Sequence, residues 1–147
     1  MLEDFANLDV MLVCGNYHSG KELLVKKYFE SFKRINRNEI RQSLKTMLSH
    51  GKPWVPGDYN EKLENIVKST EFMLFTYLLE QNQKIVIDNT SITRRNRFQY
   101  IKEAQQHKKL IGCIFVDVPL ESILDRNNRS QDIEKMPEKV LTDIDFK

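Results

Sequence analysis

The residues Gly15-Asn16-Tyr17-His18-Ser19-Gly20-Lys21-Glu22 place two glycines and a lysine in the spacing GxxxxGK, the chemistry of a phosphate-binding loop. Backbone amides of such a loop turn inward around phosphate oxygens, and the helix that follows adds the positive end of its dipole. Lys21 would reach the outer phosphates of a nucleotide, and a plain glycine turn would not require a lysine there. Glu22 stands where a Ser or Thr hydroxyl normally meets a magnesium ion. A carboxylate is a stronger ligand for a hard cation, but it is longer and repels phosphate unless metal offsets the charge. It is also a favourable residue in a helix's first turn. Three outcomes stay open: metal held directly by Glu22, weakened nucleotide binding, or none.

The flanking elements suit the loop. Val10–Cys14 (VMLVC) is an apolar run of strand length, and a helix is expected over 22–32, with Leu24, Tyr28 and Phe32 in one stripe widened by Leu23 and Val25. Ile35 and Asn36 end a short second strand. Asn38 suits the N-cap of a helix bearing Ile40, Leu44, Met47 and Leu48. Gly51 to Asp58 gathers the chain's breakers into a loop. A long helix over 59–81 presents Leu63, Ile66, Val67, Thr70, Leu74, Tyr77 and Leu78. Lys84–Ile87 is a buried strand ending at Asp88. A basic helix over 94–107 presents Phe98 and Ile101, a third clear strand covers 110–118, and a helix opened by Pro119 runs to Asn128. Apolar strands separated by helices imply a parallel sheet covered on both faces. Ligands of such sheets bind beyond the carboxyl ends of the strands, which assigns 15–22, 88–90 and the segment after Val118 to one edge.

Four segments in order, the phosphate loop, Asn36-Arg37-Asn38-Glu39-Ile40-Arg41, Ile87-Asp88-Asn89-Thr90 and Arg126-Asn127-Asn128-Arg129, resemble the polynucleotide 5′-hydroxyl kinases over about 10–139. The resemblance implies a P-loop NTPase fold (α/β, an open parallel sheet with helices on both faces) and transfer of the ATP γ-phosphate to the 5′-hydroxyl end of DNA or RNA. It implies ATP and Mg2+ as cofactors, with Gly15 to Glu22 around the phosphates and Lys21 on the β- and γ-phosphates. In that family the second motif reads N-R-D-x-x-R, its Asp the general base and its Arg the grip on the acceptor phosphate. Arg41 matches the Arg, whereas Asn38 occupies the base position. An amide cannot accept the proton, and general-base help is worth ~10²–10⁴-fold. Asp88 carries over as a metal ligand alongside Glu22, and Thr90 with it. Asp88 also suits a strand-end cap of the next turn. Arg126 and Arg129 resemble the arginines of a lid R-N-x-x-R, here one residue shorter, which favours Arg126 as the one that reaches the nucleotide. The same pair would suit a plain surface segment.

Arg94, Arg95 and Arg97 could meet acceptor phosphates or form a solvated helix face. Trp54 beside Lys52 could stack on a base or fold onto the core. No metal-ligand spacing joins the three histidines to the two cysteines.

The chain has 147 residues, 40% apolar and 30% charged, with 23 Lys+Arg against 21 Asp+Glu. That is the size and composition of one globular domain, expected over 1–147 with a short N-terminal extension (1–9), a lid (126–136) and a tail (137–147). No apolar run nears the ~20 residues of a membrane span, and the acidic start is unlike a secretory signal. Cys14 and Cys113, far apart in sequence, read as small buried hydrophobes of a reducing, cytoplasmic compartment rather than a disulfide. Kinase activity reduced by Glu22 and Asn38 is one reading. A non-catalytic nucleotide- or nucleic-acid-binding module is another, and a kinase of a small molecule or nucleotide a third. Neither the acceptor nor the oligomeric state is written in the residues.

Overall fold

Four strands, β1 (Val10–Cys14), β2 (Lys33–Ile35), β3 (Ile85–Asn89) and β4 (Ile111–Phe115), alternate with helices α1 (Lys21–Tyr28), α2 (Arg37–Leu48), α3 (Glu61–Glu80), α4 (Arg94–Gln106), α5 (Leu120–Arg129) and α6 (Glu138–Ile144). The computed structural model describes residues 2–90, 93–130 and 135–144. The strands form one parallel sheet in the order β2-β3-β1-β4. Central β1 and β3 are buried at every position, as strands covered on both faces are; β1 is apolar throughout, and β3 is apolar up to Asp88 and Asn89 at its carboxyl end. Along β1, Val10, Leu12 and Cys14 face one core with Ile35, Phe75, Leu79, Ile85, Ile87, Tyr100 and Ala104. Met11 and Val13 face the other, with Val25, Phe29, Phe32 and Val86. The two-residue period of a strand thus sends α1 to one side of the sheet and α3 and α4 to the other.

Several expectations shift. In α3 the buried stripe is Glu64, Val67, Glu71, Phe75 and Leu79, while Ile66, Leu74 and Tyr77 face outward. Glu64 and Glu71 lie inward on the stripe of Val67, Phe75 and Leu79, where arginines of α2 meet their charge. The N-cap of α2 is Asn36, whose side chain accepts from Glu39 N at 2.9 Å, so Asn38 lies inside the first turn. In α4, Tyr100 and Ala104 are buried and Phe98 is exposed. In α1 and α2, Leu23, Met47 and Leu48 are exposed, and the core residue after Val25 is Phe29, beyond the end of α1. Trp54 is buried, the plainer of its two readings. Cys113 is exposed, because β4 is an edge strand, and its Sγ lies 3.7 Å from that of buried Cys14 as a free thiol. No helix among the described residues is long and apolar enough to cross a membrane.

Candidate functional site

The carboxyl ends of β1 and β3 open into a cleft of about 1010 Å³ whose walls are Tyr17 to Leu23, the start of α2, Trp54, Asp88 to Thr90, Arg126 and Met136. Its floor is the loop between β1 and α1. Gly15 crosses tightly packed space: a Cβ there would lie 2.8 Å from Val116 O and 2.9 Å from Ser19 Oγ. Gly20, at φ 92°, adopts a left-handed conformation that only glycine enters freely, and it starts α1 without a side-chain cap. The amides of the helix start therefore keep their donors.

Lys21 curls back into the loop and donates to Gly15 O at 2.9 Å and Asn16 O at 2.8 Å. Burial pushes its ammonium below the ordinary lysine range, against the charges of Asp88 and Glu22. A desolvated cation resting on carbonyl dipoles gains by exchanging them for an anion.

The rest of the loop is held from the far end of the chain. Asn16 donates to Leu141 O at 2.9 Å. Arg126 donates to His18 O at 2.7 Å, and His18 Nε2 meets Asn127 Oδ1 at 3.0 Å. Asn127 Oδ1 also accepts from Met136 N and its amide donates to Met136 O, which orients the amide and makes His18 Nε2 the donor. These bonds hold His18 at φ 60°, unusual for a residue with a Cβ. Arg126 thus reaches the phosphate loop from the last turn of α5.

Arg129 lies on the same turn but is 79% exposed, pairs with Asp125 at 3.2 Å, and is not a wall of the cleft. The split follows from where the last turn of α5 meets the loop: Arg126 is beside His18 O, while Arg129 pairs with Asp125 on its own helix. Arg94 is exposed at the start of α4, outside the cleft walls. Arg95 shares that exposed turn, and Arg97 stacks on the Phe115 ring with its guanidinium carbon 4.8 Å from the centroid. Thr90 is a wall, and its carbonyl accepts from Gly15 N at 3.2 Å. Of the expected lid over 126–136, residues 131–134 lie outside the described residues.

On the opposite wall Asn38 is exposed, and its Oδ1 accepts from Arg41 Nη1 at 3.3 Å. Arg41 is buried and held by Glu64 through Nε at 2.9 Å and through Nη2. Its guanidinium carbon lies 5.1 Å from the centre of the Trp54 ring. Burial works against the charge of both partners, but their pairing prevails, raising Arg41 and holding Glu64 below the ordinary carboxylate range. Gln42 fixes Trp54 by bonding both its backbone N and O. One layer deeper, Glu71 accepts from Arg37 Nε at 2.8 Å and from Asn89 Nδ2 at 3.0 Å, and Asn89 Oδ1 receives Arg37 N.

Glu64 and Glu71 escaped the sequence reading, and Arg37 and Asn127 stood in its motifs without a role. Charged residues at core positions of a helix, Glu64 and Glu71 seven residues apart among apolar neighbours, are the signal that could have found two of them.

Asp88 decides whether a divalent ion suits the cleft. Its side chain is buried, Oδ2 accepts from Arg34, and Oδ1 has no hydrogen-bond partner. Among the described residues the other buried, unpartnered side-chain oxygen is Ser19 Oγ, also on the cleft wall. Buried polar atoms without partners are rare and call for an explanation, and a phosphate with its cation supplies one. Among the described residues no cluster of three or more His, Cys, Asp or Glu could hold a metal alone. Two carboxylates, Asp88 and Glu22, fit a magnesium ion that draws its remaining ligands from phosphates and water.

No curated protein matches the sequence. Among solved structures, the chain resembles one in the Pnkp1/Rnl/Hen1 RNA repair complex at TM-score 0.73 and 16% identity, over 92% of this chain and 42% of that one. It resembles one in AvrRxo1-ORF1:-ORF2 with ATP at TM-score 0.68 and 17% identity, over 97% and 48%. A gluconokinase from Sinorhizobium meliloti 1021 matches at TM-score 0.53 and 14% identity, over 91% and 71%. The chain therefore spans less than half the length of the first two. At these identities the likeness concerns the fold, that of P-loop NTPases. The family model for the AAA domain AAA_33 matches residues 10–145, and the chain belongs to that family as a P-loop kinase-like domain.

Proposed function

We propose that the domain binds ATP with Mg2+ and transfers the γ-phosphate to a hydroxyl, with a nucleic-acid 5′ end as the acceptor. The supporting observation is the convergence of Lys21, the unpartnered Ser19 Oγ and Asp88 Oδ1, and Arg126 on one cleft that continues to Asn38 and Arg41. Lys21 leaves the Gly15 and Asn16 carbonyls for the outer phosphates, and the amides at the start of α1 close around them. Arg126 already touches the loop and needs a short swing to meet charge developing on the transferring group. Asp88 and Glu22 would hold the magnesium ion, which when bound neutralises phosphate charge. The acceptor oxygen bonds to the γ-phosphorus as the bond to the bridging oxygen of ADP breaks, and the hydroxyl proton passes to water.

Asn38 orients the hydroxyl but cannot take its proton. Transfer that relies on positioning and charge tolerates that loss at reduced rate. Arg41, packed against the buried Trp54 on the cleft wall, offers the acceptor a cation. Several neighbours act on smaller molecules, the gluconokinase among them, so the small-acceptor reading is an outcome of the test. The locking of Arg41 by Glu64 favours, as a second reading, a module that binds nucleotide without transfer.

The test is thermal unfolding with ATP, with and without Mg2+, followed by transfer from radiolabelled ATP to a 5′-hydroxyl oligonucleotide. A rise in Tm with ATP·Mg2+ that Lys21→Met abolishes is expected, since a ligand of the folded state stabilises by mass action. Label on the oligonucleotide supports the kinase. A Tm rise without label supports the binding module, and label only on a small acceptor replaces the nucleic acid. No shift at millimolar ATP overturns every nucleotide-dependent reading. In the kinase reading, Asn38→Asp with Glu22→Ser raises the transfer rate.

A further inference from the structure

Arg34 belongs to none of the motifs, yet it joins two carboxylates of the cleft, Asp88 and Glu22, to a third, Glu39, beside it. It stands on the outer strand β2, paired in register with Val86, and so leaves the sheet on the same face as Asp88 two residues further along β3. Its Nε and Nη2 donate to Asp88 Oδ2 at 3.1 and 2.9 Å, Nη1 donates to Glu39, and Nη2 lies 3.5 Å from Glu22 Oε1. The three carboxylates come from β3, the first turn of α2 and the first turn of α1. Asp88 is fully buried on its side chain, and its second oxygen has no partner. Without Arg34, Asp88 and Glu22 would be opposed by the single charge of Lys21, and two carboxylates against one cation attract a hard dication. With Arg34 in place, a positive charge at ion-pair distance from both cancels much of that attraction and repels an incoming metal.

We propose that Arg34 is a resident counter-cation that keeps a divalent ion off Asp88 and Glu22 until nucleotide phosphates supply further negative charge, so that metal enters with the nucleotide and not before it. The proposal rests on the reading of Asp88 and Glu22 as the metal-holding pair. Arg34 acts here by position and charge and touches no substrate. Glu39, tied to the same guanidinium, is thereby withheld from service as a base in place of Asn38.

The experiment uses Mn2+ alone, with no nucleotide, and reads free Mn2+ by electron paramagnetic resonance in the full chain. Arg34→Gln is expected to bind Mn2+ about tenfold or more tightly than the wild type, because a full opposing charge is removed. Arg34→Lys keeps the charge and should bind as weakly as the wild type. Asp88→Asn in the Arg34→Gln background should erase the gain. Equal affinity of wild type and Arg34→Gln overturns the proposal, as does a gain that survives Asp88→Asn. Arg34→Lys behaving like Arg34→Gln also overturns it, since shape rather than charge would then be at work.

If Arg34→Gln fails to fold, the wild type decides. The Nε–H resonance of Arg34, assigned by its loss in Arg34→Lys, should stay in place on titration with millimolar Mg2+ alone. A progressive shift overturns the proposal. Because no arm contains nucleotide, failure of ATP to bind would sink the proposed function and leave this result standing, and the reverse also holds.

Discussion

Removing Glu64 should expose how much the acceptor wall of the cleft depends on one ion pair. In Glu64→Ala, Arg41 keeps its place beneath Trp54 but loses both bonds to the carboxylate and retains only Asn38 Oδ1 at 3.3 Å. The two side chains are 10% and 9% exposed, so the pair is nearly as dry as the core. Breaking a buried pair by removing one partner costs ~3–5 kcal/mol, because the survivor is left charged and unpaired. Arg41 also lines the cleft and can recruit water from it, which places the expectation at the lower end, ~3 kcal/mol.

For a chain of this size 1 kcal/mol moves Tm by ~2–4 °C, so Glu64→Ala should melt about 6–12 °C below the wild type. The double variant Arg41→Met/Glu64→Leu should recover most of that loss, since apolar replacement of a buried pair is often neutral or better. Thermal and urea unfolding of the wild type, Arg41→Met, Glu64→Leu and the double variant form the cycle, with Glu64→Ala measured beside it. A loss below ~1 kcal/mol for Glu64→Ala, the level of an exposed pair, would refute the reasoning.

The pH dependence has a definite sign. The Glu64 carboxyl titrates below its ordinary range in the fold, so its contribution is present above about pH 4.5 and fades as pH falls towards the depressed value. Glu64→Gln should flatten that part of the stability profile.

Gly15→Ala forces a Cβ to 2.8 Å from the Val116 carbonyl and 2.9 Å from Ser19 Oγ, and should cost ~1–3 kcal/mol in urea unfolding while abolishing the ATP-induced rise in Tm. Lys21, lowered by burial, makes the folded state less stable at neutral pH than an unperturbed lysine would, and that cost disappears as pH rises through its folded value towards 10.5. Phosphates should raise it again, so calorimetry of ATP binding near pH 9 in two buffers of different ionisation enthalpy should detect proton uptake, absent in Lys21→Met. Asn36→Ala removes both the cap of α2 and a 2.7 Å bond to Asp88 O, and should destabilise by ~1–2 kcal/mol, with a wild-type Tm as the contrary result.

The phosphate loop was legible because its chemistry is local. Glycines that allow close approach and a left-handed turn, and a lysine one position into a helix, act within eight consecutive residues, and the apolar run before them is long enough to be a strand. Parallel β1 and β3 were legible for a similar reason, since strands buried on both faces show no alternation to confuse with anything else. The face of α3 was not. Its inward residues include two carboxylates that a hydropathy pattern assigns to solvent, and only their arginines on α2, 34 positions away for Glu71 and 23 for Glu64, reverse that assignment. The division between Arg126 and Arg129 likewise depends on where the last turn of α5 meets His18, which local spacing does not specify.

The sequence by itself determined that a GxxxxGK loop would follow the first strand and which lysine would line the cleft there, because those requirements are met by neighbouring residues. The partnership of the charges belonged to the tertiary structure. Asp88, Glu22 and Glu39 lie on three elements, and parallel pairing of β2 with β3 sets Arg34 among them. Whether a carboxylate is free to hold a metal depends on the cation that folding brings beside it, and Coulomb interaction over a few ångströms follows spatial distance, not distance along the chain.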